Sequence, residues 1–101
     1  MFTQRLNKLK ELINNANPYQ REITIVGVTK YTEISQINET VNGELNDLAE
    51  NKVQRLIELK AQNTSAKLHL IGHLQTNKAK QAVACADLIQ SVDSLKILNE
   101  I

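Results

Sequence analysis

The sequence predicts an α/β fold built from parallel strands. Short apolar runs alternate with amphipathic helical patterns, the order is one helix followed by four strand–helix pairs, and the connections are too long for hairpins. Such an order implies parallel strands joined by right-handed crossovers. The pattern leaves two architectures open, a small open sheet and part of a (β/α)8 barrel, which normally needs about 250 residues.

The first helix is predicted over residues 3–16, where apolar residues recur at near-helical spacing. Pro18 ends it, because proline biases the preceding residue away from helical dihedrals. Residues 23–30 then read Ile-Thr-Ile-Val-Gly-Val-Thr-Lys. This β-branched run predicts a strand buried on both faces, with Lys30 at its carboxyl end. Parallel α/β folds build their sites at such ends, so Lys30 is the first candidate site residue.

A second amphipathic helix follows, with Thr32 as its N-cap and Gly43 as the left-handed residue after it. The next segment has few apolar residues, so only a short strand is predicted, over residues 46–49. Helical periodicity returns between Val53 and Leu59. This middle part therefore supplies the second strand and the helix that leads to the third.

The last part of the chain repeats the strand–helix order. A strand is predicted over residues 67–71, and a helix capped by Thr76 extends to Ala84. A fourth strand is predicted over residues 87–90, and Ser94 caps a final helix. Because the chain stops inside that helix, the pattern indicates an interrupted repeat.

Composition indicates a globular domain and argues against two classes of partner. The 101 residues can build one core, and the 42% hydrophobic and 23% charged content is ordinary for a globular protein. Lys and Arg exceed Asp and Glu by one without a block of like charges, and aromatics are only 3%, so nucleic-acid binding is disfavoured. No apolar stretch approaches the roughly 20 residues that span a bilayer. A single cytoplasmic domain over residues 1–101 is expected.

The cysteine and histidine residues give little support for redox or metal chemistry. Cys85 is the only cysteine, so no intrachain disulfide can form, and its alanine-rich surroundings predict a small core residue. His69 and His73 are four residues apart but straddle a strand end, and no third ligand is placed nearby, so no metal site is predicted. His73, in the polar loop after the strand, is the better candidate for ligand contact.

Polar side chains follow each predicted strand. Lys30 is either a lysine able to form a Schiff base or a solvated charge. Asn51 either caps the third helix or belongs to a site, and Ser91 and Asp93 raise the same choice after the fourth strand. Their shared placement favours a site, because barrels gather site residues from the ends of several strands.

Four blocks resemble one family in the order in which that family carries them. They are Val-Thr-Lys at 28–30, Glu-Asn-Lys-Val-Gln at 50–54, His-Leu-Ile-Gly-His-Leu-Gln-Thr-Asn-Lys at 69–78, and Leu-Ile-Gln-Ser-Val-Asp-Ser at 88–94. Together they resemble the N-terminal part of the pyridoxal phosphate homeostasis protein family. That family is similar to the alanine racemase N-terminal domain, a barrel that carries pyridoxal 5′-phosphate (PLP). The resemblance implies the N-terminal half of a (β/α)8 TIM-type barrel, with about four parallel strands and an extra N-terminal helix.

The resemblance also implies a cofactor and its site. Lys30 matches the family lysine that forms a Schiff base with PLP, and no catalytic or metal residue is implied. The further residues at the cofactor mouth are Asn51, His73, Asn77, Ser91 and Asp93. One departure is Ala49, which stands where the family has glycine. The other is the second half of the barrel, with the loops that hold the cofactor phosphate, which these residues do not include.

For function, the resemblance implies reversible PLP storage or delivery without turnover, with apo forms of PLP-dependent enzymes as recipients. The alternatives are a racemase-like PLP enzyme, in which the lysine acts beside a second acid–base group, and a fragment without a competent cofactor site. Half a barrel exposes strand edges and an apolar inward face, so self-association is expected.

Overall fold

The computed structural model describes residues 2–30, 32–41, 44–62 and 65–101, and within them helices and strands alternate. The elements are α1 (Phe2–Asn15), β1 (Val26–Val28), α2 (Ile34–Val41), β2 (Asp47–Glu50), α3 (Val53–Ala61), β3 (Lys67–Leu70), a 3₁₀ turn (Thr76–Lys78), α4 (Ala79–Cys85), β4 (Leu88–Ile89) and α5 (Leu95–Glu100). No helix in these ranges combines the length and the apolar character needed to cross a membrane.

The strands form one parallel sheet in the order β1-β2-β3-β4. Each strand pairs with the next one along the chain, so a helix lies between every two neighbours in sequence. The predicted fold class, α/β with about four parallel strands and an extra N-terminal helix, is confirmed. All four carboxyl ends therefore lie along one edge of the sheet.

The two faces of the sheet differ in character. Paired residues of a parallel ladder lie on the same face, and successive residues alternate. Leu48, Leu68 and Leu70 lie on one face and belong to the buried core, to which all five helices contribute. The opposite face, here called the open face, carries Val28 of β1 and Leu88 of β4, which are 51% and 49% exposed.

The prediction for the first strand was wrong in length and in burial. Only Val26–Val28 is a strand, and Ile23 and Val28 are each 51% exposed rather than buried. The physical reason is position, because β1 is at the edge of the sheet and pairs only with β2. Gly27 lies on the core face, where a Cβ would come within 2.6 Å of Leu45 Cδ1. A side chain at that position would compete with Leu45 for space.

The predicted helix boundaries are confirmed at one cap and wrong at two. Ser94 caps α5 as predicted, since its hydroxyl accepts a hydrogen bond from the Ile97 amide at 3.2 Å. Thr76 does not cap α4 but opens the 3₁₀ turn, after which α4 begins at Ala79. Glu33, not Thr32, directly precedes α2, and the predicted stop at Gly43 lies outside the described residues.

Candidate functional site

The carboxyl edge of the sheet gathers the residues that the sequence singles out. Ladder-type hydrogen bonds continue just past the strands, from the Thr29 amide to the Ala49 carbonyl (3.1 Å) and from the Ile71 amide to the Glu50 carbonyl (3.1 Å). Lys30 comes directly after the first of these bonds and is exposed. Asn51 follows β2 immediately. The lysine therefore lies just beyond the carboxyl end of β1, the position predicted for it.

A tight turn carries Lys30. The Thr32 amide donates to the Thr29 carbonyl at 3.0 Å, which closes a four-residue turn that includes the lysine. Arg55, on α3, contacts both ends of this turn, because its Nη2 lies 2.7 Å from the Thr29 carbonyl oxygen and 2.7 Å from the Thr32 carbonyl oxygen. The backbone on both sides of Lys30 is thus tied to a helix.

Arg55 is itself held by a carboxylate that is completely buried. Its Nε donates to Glu50 Oε1 at 2.8 Å and its Nη2 to Oε2 at 3.0 Å, while the Thr29 hydroxyl also donates to Oε2. The bond to Glu50 is the main cause that raises the pKa of Arg55, although burial opposes it. Removing one partner of a buried ion pair costs about 3–5 kcal/mol, because the other charge remains buried and unpaired.

A cleft of about 340 Å³ lies between the start of α3 and the loop after β3. It brings together Asn51 and His73, two of the predicted site residues, and its lining includes Lys52 and Lys78. Asn51 does not cap α3, since the N-cap is Lys52, whose side chain makes no capping bond. The two lysines and the amino end of α3 make this cleft favourable for a negatively charged group.

The other predicted residues are distributed around the same edge. His73 Nδ1 lies 3.4 Å from Asp93 Oδ2, and both side chains are mostly exposed, so this contact links the loops after β3 and β4. The Ser91 hydroxyl is buried and has no hydrogen-bond partner among the described residues. Asn77 is exposed on the 3₁₀ turn and does not line the cleft.

A second polar network was not predicted from the sequence. His69 is buried on the open face, where its Nε2 lies 2.8 Å from Asp47 Oδ1 and its Nδ1 lies 2.9 Å from Gln90 Nε2. An amide nitrogen can only donate, so Nδ1 accepts the hydrogen bond from Gln90. Nε2 then carries the hydrogen and donates a hydrogen bond to Asp47. Both ring nitrogens are therefore occupied. Across the described ranges, no group of three or more His, Cys, Asp or Glu side chains is placed to hold a metal ion.

Arg55 is the other feature that sequence reasoning missed, although a signal for it exists. Glu50 ends a strand whose two preceding residues are Leu48 and Ala49, so its carboxylate is expected to be buried and to need a partner. Lys52 and Arg55 are the first cations after it. Only arginine offers the planar fork that binds both oxygens of a carboxylate.

Comparisons with known proteins connect this geometry to a family. No family model matches the chain. Two relatives are named pyridoxal phosphate homeostasis protein: one from Synechocystis sp. is 36% identical over 78 residues, covering 74% of this chain and 36% of the relative. The other, from Buchnera aphidicola subsp. Acyrthosiphon pisum, is 32% identical over 81 residues, covering 76% and 40%. The chain thus spans well under half the length of either relative.

Solved structures agree with these relatives. PipY of Synechococcus elongatus with PLP bound matches with a TM-score of 0.79 and 28% identity, over 99% of this chain and 46% of PipY. PipY without PLP matches with a TM-score of 0.78 and 29% identity, over 96% and 44%. The resemblance to the pyridoxal phosphate homeostasis protein family is confirmed. Coverage of less than half of PipY agrees with the predicted half of a barrel.

Proposed function

We propose that this chain binds PLP reversibly as a Schiff base on Lys30 and takes part in intracellular PLP homeostasis without turning over a substrate. The observation that carries the proposal is the position of Lys30, which is exposed at the carboxyl edge of a parallel sheet on a hydrogen-bonded turn. The likeness to PipY, which was solved with PLP bound, supports the choice of ligand. Asn51, His73, Asn77, Ser91 and Asp93 are proposed to surround the cofactor.

The residues at this edge fit a small anionic aldehyde. Lys30 supplies the amine, and the buried Ser91 hydroxyl, which has no partner in the described part of the chain, can bond to a polar substituent. Lys52 and Lys78 in the cleft beside Asn51 and His73 can balance the negative charge of a phosphate. The site therefore offers the amine, the polar contacts and the cations that PLP would require.

PLP supplies an aldehyde carbon, and reversible capture of that carbon requires only one amine. The Lys30 amine would supply the nitrogen for a bond to that carbon, the carbonyl oxygen would leave as water with the two amine hydrogens, and water would reverse the exchange. Racemisation additionally needs a second acid–base group on the opposite face of the cofactor. Storage is therefore the simpler use of a single positioned lysine.

Transfer and turnover can be measured on the same preparation. The chain is loaded with PLP, freed of excess cofactor, and incubated either with L-alanine or with the apo form of a PLP-dependent aminotransferase. We expect the aminotransferase to gain activity while the alanine keeps its configuration. Racemisation that requires Lys30 would contradict the storage proposal, and so would a failure to retain PLP after removal of the excess.

We also propose that residues 1–101 form a single domain whose copies associate through the open face and the sheet edges. Val28 and Leu88 lie half-exposed on that face, at the two outer strands. Exposed edges and apolar surface favour pairing with another chain.

Light scattering at micromolar concentration should therefore report a dimer or a larger assembly. Val28→Lys places a charge on the open face and should shift the distribution towards monomer, whereas Lys8→Ala, on an exposed position of α1, should leave it unchanged. A wild-type chain that is monomeric under these conditions would contradict the association.

A further inference from the structure

The turn that carries Lys30 depends on a residue from another element. Arg55 Nη2 lies 2.7 Å from both the Thr29 and the Thr32 carbonyl oxygens, one before and one after the lysine. These two contacts are here called the Arg55 bridge. We infer that Arg55 is the positioning residue for Lys30: the bridge fixes the turn and thereby the approach of the amine to an aldehyde. This inference rests on the proposed function of Lys30 in binding PLP.

The bridge is anchored more firmly than an exposed ion pair. Glu50 is completely buried at the end of β2, and its two oxygens receive the Nε and the Nη2 of Arg55. A bidentate pair with a buried carboxylate fixes the orientation of the guanidinium plane. Because Glu50 lies at the end of β2, inside the sheet, Arg55 connects the turn that carries Lys30 to the buried interior.

The position requires arginine rather than any cation. Nη2 carries two hydrogens, and three acceptors lie within 3.0 Å of it: the two turn carbonyls and Glu50 Oε2. Nε donates to the other carboxylate oxygen, Glu50 Oε1. A lysine at this position would keep the charge beside Glu50 but present a single ammonium group. It could not satisfy the carboxylate and both carbonyls in the same geometry. Arg55→Lys therefore preserves the ion pair and removes the bridge.

The experiment follows two observables in wild type and Arg55→Lys. The first is the rate of PLP capture by Lys30, measured by borohydride quenching at set times and mass mapping of the peptide that contains Lys30. The second is amide hydrogen exchange at Thr32 without PLP, since this amide closes the turn. We expect capture to slow roughly tenfold, as for a misplaced reacting group, and Thr32 exchange to become faster.

Two control variants separate positioning from general effects. Arg5→Lys makes the same chemical change on an exposed position of α1 and should alter neither observable. Ile57→Val trims a half-buried residue of α3 that packs against the core, and it should lower stability while leaving capture unchanged. All rates are compared at a temperature where circular dichroism shows each variant folded.

The inference is overturned if Arg55→Lys captures PLP at the wild-type rate, or if Ile57→Val slows capture to the same extent. If wild type captures no PLP on Lys30, the proposed function fails, and the exchange at Thr32 then decides the inference alone. Unchanged exchange in Arg55→Lys would overturn it, whereas faster exchange would support the bridge as the element that holds the turn.

Discussion

Replacement of Lys30 by alanine should abolish the absorbance change that PLP undergoes when the wild-type chain is added. The change reports the carbon–nitrogen bond between the aldehyde and an amine, and Lys30 is the residue at the carboxyl end of β1. Lys52 and Lys78 in the cleft are also amines, but they are proposed to balance the charge of the phosphate, so the bond to the aldehyde is assigned to Lys30. The measurement is an absorbance titration of each variant with PLP.

The control for this titration is Lys8→Ala, because Lys8 is an exposed lysine on α1 and none of the proposed site residues belongs to that helix. That variant should titrate as the wild type does. If Lys30→Ala retained the spectral change at the same PLP concentration, another amine would be responsible, and the proposed function of Lys30 would be contradicted.

Replacement of Gly72 by alanine should destabilise the chain and displace the loop after β3. A Cβ at this position would lie 2.0 Å from the Asn51 carbonyl oxygen and 2.8 Å from its Cα. These are backbone atoms at the end of β2, so they cannot move aside without shifting the strand end. Overpacking of this kind typically costs about 1–3 kcal/mol and occasionally more, which a urea unfolding curve resolves as a lower midpoint.

Gly27→Ala is the matched comparison. Its Cβ would meet Leu45 Cδ1 at 2.6 Å, but this atom is the end of a flexible side chain that can change rotamer. The loss of stability should therefore be smaller than for Gly72→Ala. Equal midpoints for the two variants would mean that the loop after β3 is not packed against Asn51 as described.

Local sequence patterns were sufficient to predict the order of the elements. Amphipathic spacing located α1 and α3, and the Ser94 cap located the start of α5, because these signals depend on residues close in sequence. The burial of the first strand could not be predicted in this way. An apolar run indicates that a segment can be buried. Whether it lies at a sheet edge depends on which other strands pair with it in the folded chain.

For the candidate site too, some features could be predicted from local sequence and others depend on tertiary contacts. Position after a predicted strand was enough to single out Lys30, Asn51 and His73 in the sequence. The last two line one cleft in the structure. The contacts that fix the site residues join positions that are far apart in sequence. Arg55 on α3 contacts the Thr29 carbonyl after β1, and His69 on β3 binds Asp47 on the neighbouring strand β2. Sequence spacing does not encode such tertiary contacts. A buried Glu50 in need of a cation was the one available signal.

The central claim is that Lys30 is the amine that captures PLP, and mass mapping after borohydride reduction tests it most directly. The wild-type chain is incubated with PLP, reduced, digested and mapped for pyridoxyl-modified lysines. We expect the adduct to be confined to Lys30, although the chain carries other exposed lysines such as Lys8, Lys52 and Lys60. Modification spread over several lysines, or absent from Lys30, would contradict the claim.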